Sequence, residues 1–121
     1  MQERTFLLYT TQKESSDNVK ELCQPHCPVE AAMKMIGGKY KAVILWHLMN
    51  STLRYSEIHR VIPYATDKML AQQLRELESD GLIHRKVYPV VPPKTEYSLT
   101  ERGKSLTPIL DALCDWGKDY L

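Results

Sequence analysis

The chain has 121 residues, 43% of them hydrophobic, with 16 basic and 15 acidic side chains for a formal net charge of +1. That size fits one domain with one modest core, and so even a charge balance neither demands nor excludes a nucleic-acid partner. Three cysteines (Cys23, Cys27 and Cys114), no signal peptide and no apolar stretch long enough to span a bilayer argue against a secreted disulfide scaffold or a membrane protein; the expectation is a cytoplasmic protein.

Residues 1–26 are mostly polar without a strong period and read as an N-terminal arm ordered in part by a partner chain; residues 27–121 read as the domain. Ala32, Met33 and Ile36 recur at helical spacing over 29–36, and Gly37-Gly38 stops that helix. A nearly all-apolar helix follows, with Val43, Ile44, Leu45, Trp46, Leu48 and Met49, and should be the centre of the core. After Asn50-Ser51 come the short strand Leu53-Arg54-Tyr55 and then Ser56, read as the N-cap of a helix that buries Ile58, Val61 and Ile62 and closes at Pro63. The turn Pro63-Tyr64-Ala65 leads to Thr66, a second N-cap, and to a helix over 67–80. Leu70, Leu74 and Leu77 give that helix one buried stripe, and Gly81 stands at its C′ position.

Two helices joined by so short a turn form a helix-turn-helix. The period then changes from 3.6 to 2. Ile83-His84-Arg85-Lys86-Val87-Tyr88 and Thr95-Glu96-Tyr97-Ser98-Leu99 alternate around Pro89-Val90-Val91-Pro92-Pro93, which predicts a hairpin with a stiff tip. Thr100 caps a last helix with Leu106, Ile109, Leu110, Leu113, Trp116, Gly117 and Tyr120 on its apolar face, kinked or broken near Pro108. The fold expected is mainly α with a small β-hairpin: a winged helix-turn-helix.

Charge is distributed in the way such a fold would use it. Residues 39–99 carry nine basic and six acidic side chains, a surplus of three, while both flanking segments are slightly acidic. On a wheel of about 100° per residue, the side of helix 67–80 opposite its leucines shows Lys68, Gln72, Arg75 and Ser79, with Ala71 beside them. Gln suits adenine and Arg suits guanine in the major groove, and the N-terminal half of a recognition helix reaches the base edges. Thr66, Asp67, Lys68, Ala71, Gln72 and Arg75 are therefore the candidate groove residues. Arg85, Lys86 and Lys94 on the hairpin, with Arg54 and Arg60 on the first helix of the pair, are candidates for the backbone. The bland reading of the same residues is a solvated surface, and a winged helix can also bind a protein with this face rather than DNA.

In its blocks the chain resembles the HxlR family of bacterial winged-helix regulators, itself similar to the MarR type. The blocks are Cys27-Pro28, Ile36-Gly37-Gly38-Lys39-Tyr40, Ile44-Leu45, Arg54-Tyr55-Ser56-Glu57-Ile58 and the run from Leu74 to Ile83. They continue with Tyr88, Val91-Pro92-Pro93-Lys94, Glu96-Tyr97-Ser98-Leu99-Thr100, Gly103 and Trp116-Gly117. Tyr40 stands where the family usually has tryptophan and Tyr55 where phenylalanine is common. The resemblance implies double-stranded DNA as partner and repression as the commoner outcome. It also implies a homodimer built from the N- and C-terminal helices, a major-groove helix over 66–80 and a wing over 89–94.

For the dimer surface, Met33, Leu106, Ile109, Leu113, Trp116 and Tyr120 are a surplus of apolar side chains that a symmetric partner would cover; the alternative is that the last helix folds back on its own domain. A dimer would set its recognition helices about 34 Å apart, so the expected operator is an inverted repeat. Some family members look like thiol sensors with a cysteine just before the first helix, and Cys27 matches that position. A thiol at a helix N-terminus has a lowered pKa, and a thiol-reactive effector would act there; the alternative is a small packing residue. Cys114 reads as packing, with a cross-dimer bond to Cys27 left open, and a transient Cys23–Cys27 bond is a further option. Cys23, His26 and Cys27 do not make a full tetrahedral metal set. No cofactor, metal or enzyme chemistry is expected: the four histidines are scattered, and there is no phosphate loop and no carboxylate pair.

Overall fold

The computed structural model describes residues 27–121. The expected arm over 1–26, and with it Cys23 and His26, lies outside the described residues. The chain divides into two units, residues 1–34 and 35–121. Of the first, residues 27–34 are described and form the opening turns of α1 (Pro28–Ile36), which starts with Pro28 as its first helical residue and the Ala31 N–H donating to the Cys27 carbonyl at 2.9 Å. Proline suits that position because an N–H there has no partner in any helix.

In the second unit, α2 (Lys41–Leu48) follows the Gly37-Gly38 break. Then come β1 (Leu53–Arg54), α3 (Tyr55–Val61), α4 (Asp67–Ser79), the strands β2 (Ile83–Tyr88) and β3 (Lys94–Leu99), and α5 (Glu101–Lys104) and α6 (Thr107–Tyr120). This is a winged helix-turn-helix, mainly helical with a small sheet. Its core gathers Ile44 and Leu45 of α2, Ile58 and Ile62 from α3 and its end, and Leu70, Leu74 and Leu77 of α4, all buried to 2% exposure or less. The leucine stripe predicted for α4 is therefore the face that anchors it.

Caps fix where the helices begin and end. Thr66 has extended backbone and its Oγ1 accepts the Met69 N–H at 3.1 Å, the expected N-cap of α4. At the other end Gly81 takes φ +75°, its N–H donates to the Glu78 carbonyl, and the Leu82 N–H reaches the Leu77 carbonyl. Only glycine enters that left-handed C′ conformation without strain. The Thr100 hydroxyl accepts from the Gly103 N–H at 3.0 Å and donates to the Gly81 carbonyl at 2.6 Å, so one side chain ties the start of α5 to the exit from α4. Ser56 is not the cap expected of it. α3 begins two residues earlier, with Arg54 as N-cap, and the Arg54 N–H donates to Glu57 Oε1 at 2.8 Å. A reciprocal carboxylate three residues on satisfies the exposed N-terminus, and Ser56 is left exposed in the first turn.

The hairpin is longer in its consequences than expected. β3 is the middle of a three-stranded antiparallel sheet of order β1-β3-β2, paired Leu53↔Tyr97 on one side and Ile83↔Leu99 through Tyr88↔Lys94 on the other. Only the base of the hairpin is packed. Ile83 and Tyr97 are buried while Arg85, Lys86 and Val87 are exposed, so the outer half projects as a wing. The break expected near Pro108 is present: α5 ends at Lys104, and α6 begins at Thr107 with Pro108 in its first turn.

Candidate nucleic-acid interface

α3 positions α4 through a small polar cluster at the turn. The Tyr55 hydroxyl donates to Asp67 Oδ1 at 3.1 Å, and His59 Nε2 lies 3.2 Å from the Ala65 carbonyl and 3.4 Å from Asp67 Oδ1. Both neighbours of Nε2 accept, so that nitrogen carries the proton. The Tyr55 and His59 rings stack with centroids 6.3 Å apart. Burial pushes the Tyr55 phenol above its ordinary pKa, and its hydrogen bond to the Asp67 carboxylate pushes the same way. Asp67, a candidate groove residue, thus has intramolecular partners that hold the first turn of α4.

The rest of α4 divides cleanly between two faces. Lys68, Gln72, Arg75 and Ser79 are exposed together, Ala71 is half-buried among them, and Thr66 is exposed at the cap. Against this face the core side holds two polar residues. Gln73 is 6% exposed, and its Oε1 accepts the buried Tyr40 N–H at 3.0 Å. Lys41 of α2 is 5% exposed, and its Nζ sits 2.8 Å from Glu76 Oε1. Glu76 Oε2 in turn accepts from Gln72 Nε2 at 3.1 Å. The Lys41 contact, followed by the Gln72 hydrogen bond, holds the Glu76 carboxyl below its ordinary pKa.

Neither Gln73 nor Lys41 was singled out by sequence pattern, although a signal existed. Residue 73 falls within about 60° of Leu70 on the helix wheel, on the side of Leu77. Lys41 precedes Ile44, Leu45 and Leu48 at i+3, i+4 and i+7, the spacing of a core face. A polar residue within an apolar stripe must find a partner, and both do.

On the wing, Lys86 Nζ lies 5.0 Å and Lys94 Nζ 4.8 Å from the centroid of the Tyr88 ring. The Tyr88 hydroxyl donates to Glu96 Oε1 at 2.9 Å, and Lys94 Nζ is 3.9 Å from Glu96 Oε2. Tyr88 therefore gathers both lysines expected at the backbone. Arg85 faces a cleft between wing and recognition helix that Arg75, Glu78, Ala71, Tyr55 and Tyr97 also line. Arg54 lines a second cleft with the wing tip, where Val91 is 98% exposed, and Arg60 is exposed on α3.

Away from this face, Ile109, Leu113, Trp116 and Tyr120 are about half exposed or more along α6, with the Trp116 and Tyr120 rings stacked at 5.3 Å. Leu106 is half-buried and packs against the core, and Met33 is exposed on α1. Ala42, Val43 and Trp46 of α2 and Leu110, Leu113 and Cys114 of α6 line an apolar groove of about 280 Å³. Cys27 and Cys114 are both free thiols and half-buried. Among the described residues no helix is long and apolar enough to cross a membrane, and no cluster of three metal-ligating side chains occurs.

Residues 35–121 match the HxlR-like helix-turn-helix family. The chain belongs to that family. A transcriptional regulator of Methanothermobacter thermautotrophicus is 61% identical over 94 residues, 78% of this chain and 72% of its own. The crystal structure of the regulator YtcD, known by sequence from Bacillus subtilis, superposes with a TM-score of 0.74 at 56% identity, covering 77% of this chain and 95% of that one. The redox regulator HypR in its oxidized form superposes with a TM-score of 0.75 at 47% identity, covering 78% and 98%. This HxlR-family chain is thus a DNA-binding helix-turn-helix transcriptional regulator, and members of that class are not enzymes.

Proposed function

We propose that the chain acts as a homodimeric repressor that lays α4 of each copy in the major groove of an inverted-repeat operator. The observation that carries this is the two-faced build of α4. Its leucine side is fully buried, and its outer side presents Lys68, Gln72 and Arg75 with no large apolar residue among them. Arg75 suits guanine and Gln72 suits adenine, and Lys68 stands in the helical half nearest the base edges. Lys86, Lys94, Arg85, Arg54 and Arg60 supply cations for the phosphates on either side, which would position the helix without specifying sequence. The open apolar row Ile109, Leu113, Trp116 and Tyr120 of α6 supports pairing through the terminal helices, because so large an exposed apolar stripe is unusual on a monomer, and Met33 of α1 is exposed as well.

Regulation by a thiol-reactive compound at Cys27 is part of the same proposal. Cys27 directly precedes α1, its thiol is free, and HypR is a redox regulator solved in oxidized and reduced forms. The test is fluorescence anisotropy at fixed salt on a duplex recovered by selection from a randomised library, against its scrambled version. Wild type should bind the selected duplex at least a hundredfold more tightly, consistent with specific-to-nonspecific ratios of about 10³ or more. Arg75→Ala and Gln72→Ala should each lose roughly tenfold of that margin, the scale of one bidentate contact, and unchanged affinity in both would overturn the groove assignment. Cys27→Ser should abolish release by an oxidant; an unaltered response would remove the sensor.

A further inference from the structure

Gln72 is a long, exposed side chain with several rotamers, and its amide can present either end outward. Left free, such a side chain reads bases poorly, because the wrong amide orientation exchanges donor for acceptor. Here it is not free. Its Nε2 donates to Glu76 Oε2 at 3.1 Å, and a carboxylate accepts only, so the nitrogen end must face Glu76. An i, i+4 pair of this kind is ordinarily a weak surface contact. What differs is the other carboxylate oxygen. Glu76 Oε1 is held at 2.8 Å by Lys41 Nζ, and Lys41 is 5% exposed on α2. A nearly buried ammonium keeps its carboxylate, since losing it leaves an unpaired charge out of water. Glu76 itself is 42% exposed, and each of its oxygens thus has one partner, Lys41 from the core side and Gln72 on the reading face.

We propose that Glu76, pinned by Lys41, is a specificity-positioning residue: it fixes the amide of Gln72 so that its oxygen and remaining hydrogen face the groove as an adenine-reading edge. That edge, one acceptor beside one donor, matches the N6 donor and N7 acceptor of adenine. The proposal rests on α4 entering the major groove. It adds that base choice at one position is set by a residue that touches no base.

The experiment is selection from a randomised duplex library, sequenced after each round, for wild type, Gln72→Ala, Glu76→Gln and Lys41→Met. Gln72→Ala identifies the position that Gln72 reads, as the one whose preference disappears. At that position wild type should favour adenine. Glu76→Gln and Lys41→Met should flatten the preference roughly tenfold, the scale of one bidentate contact, while preferences elsewhere stay as in wild type. Poorer folding lowers affinity for all sequences alike, so a change confined to one position separates positioning from stability. Lys41→Met serves should Glu76→Gln fold poorly, because it removes the buried charge rather than stranding it. Unchanged base frequencies in Glu76→Gln and Lys41→Met, with Gln72→Ala altered, would overturn the relay and leave the DNA reading intact. Wild type that enriches no sequence would overturn the DNA reading and the relay with it.

Discussion

Gln73→Met isolates what one buried hydrogen bond contributes to holding the recognition helix. Methionine matches glutamine closely in length and volume, so packing against α2 is largely kept. What is lost is the acceptor for the Tyr40 N–H, which lies 3.0 Å from Gln73 Oε1 in a site where Gln73 and Tyr40 are each 6% exposed. A buried N–H left without a partner costs about 1–3 kcal/mol. For a domain of this size about 2 kcal/mol lowers the melting temperature by roughly 8–16 °C. The assay is urea unfolding at fixed protein concentration, since the apparent stability of the proposed dimer would depend on it; the midpoint should fall with the slope unchanged. A Cβ at Gly38 would sit 2.6 Å from Gln73 Oε1, so Gly38→Ala should displace the same amide. Two changes acting on one contact are not additive, and the double variant should lose clearly less than the sum of the singles. A loss below about 0.5 kcal/mol in Gln73→Met, the range of an ordinary surface change, would refute the reasoning.

Other outcomes follow from the same geometry. Gly103→Ala should cost about 1–3 kcal/mol in the same urea assay, because its Cβ would overlap the Leu82 carbonyl oxygen, a backbone atom with no room to yield. Leu113→Glu, on the open stripe of α6 at 53% exposure, should give a monomer in sedimentation and weaken operator binding; loss of linked half-site binding is worth roughly a hundredfold or more. Tyr88→Leu removes the ring both wing lysines lie over, and Lys94→Gln removes one of the cations proposed for the phosphates. The latter should reduce the slope of log K against log salt by about 1, measured by anisotropy. Tyr55 titrates above its ordinary pKa of 10.0 in the folded chain, so the fold binds that proton more tightly than the unfolded chain does. Its contribution is present below pH 10 and is lost as pH rises through the folded value; Tyr55→Phe should flatten the alkaline limb of a stability–pH profile.

Much of this architecture was legible because local chemistry and global packing agree. Thr66, Thr100 and Gly81 mark their helix ends as residues whose side chain, or lack of one, satisfies terminal groups. Leu70, Leu74 and Leu77 identify the anchored face of α4, and by difference the face that carries Lys68, Gln72 and Arg75. Less legible was whatever depends on distant parts of the chain. Two residues, Leu53-Arg54, are too short to declare their pairing with β3, which is set by the return of the hairpin. Ser56 is chemically the better cap than Arg54, but the strand ends at Arg54 and Glu57 reaches back to it, so tertiary position overrides side-chain preference. The Lys41–Glu76 pair joins residues 35 apart in sequence, and only packing of α2 on α4 brings them together.

In the proposed dimer, two copies of α4 read successive major grooves. Hydroxyl-radical and methylation protection of the selected duplex, bound at saturating wild-type protein, addresses this directly. It should reveal two major-groove patches centred about 10 base pairs apart on one face of the DNA, each flanked by backbone protection from a wing. A single patch, or protection spread evenly along the duplex, would contradict it.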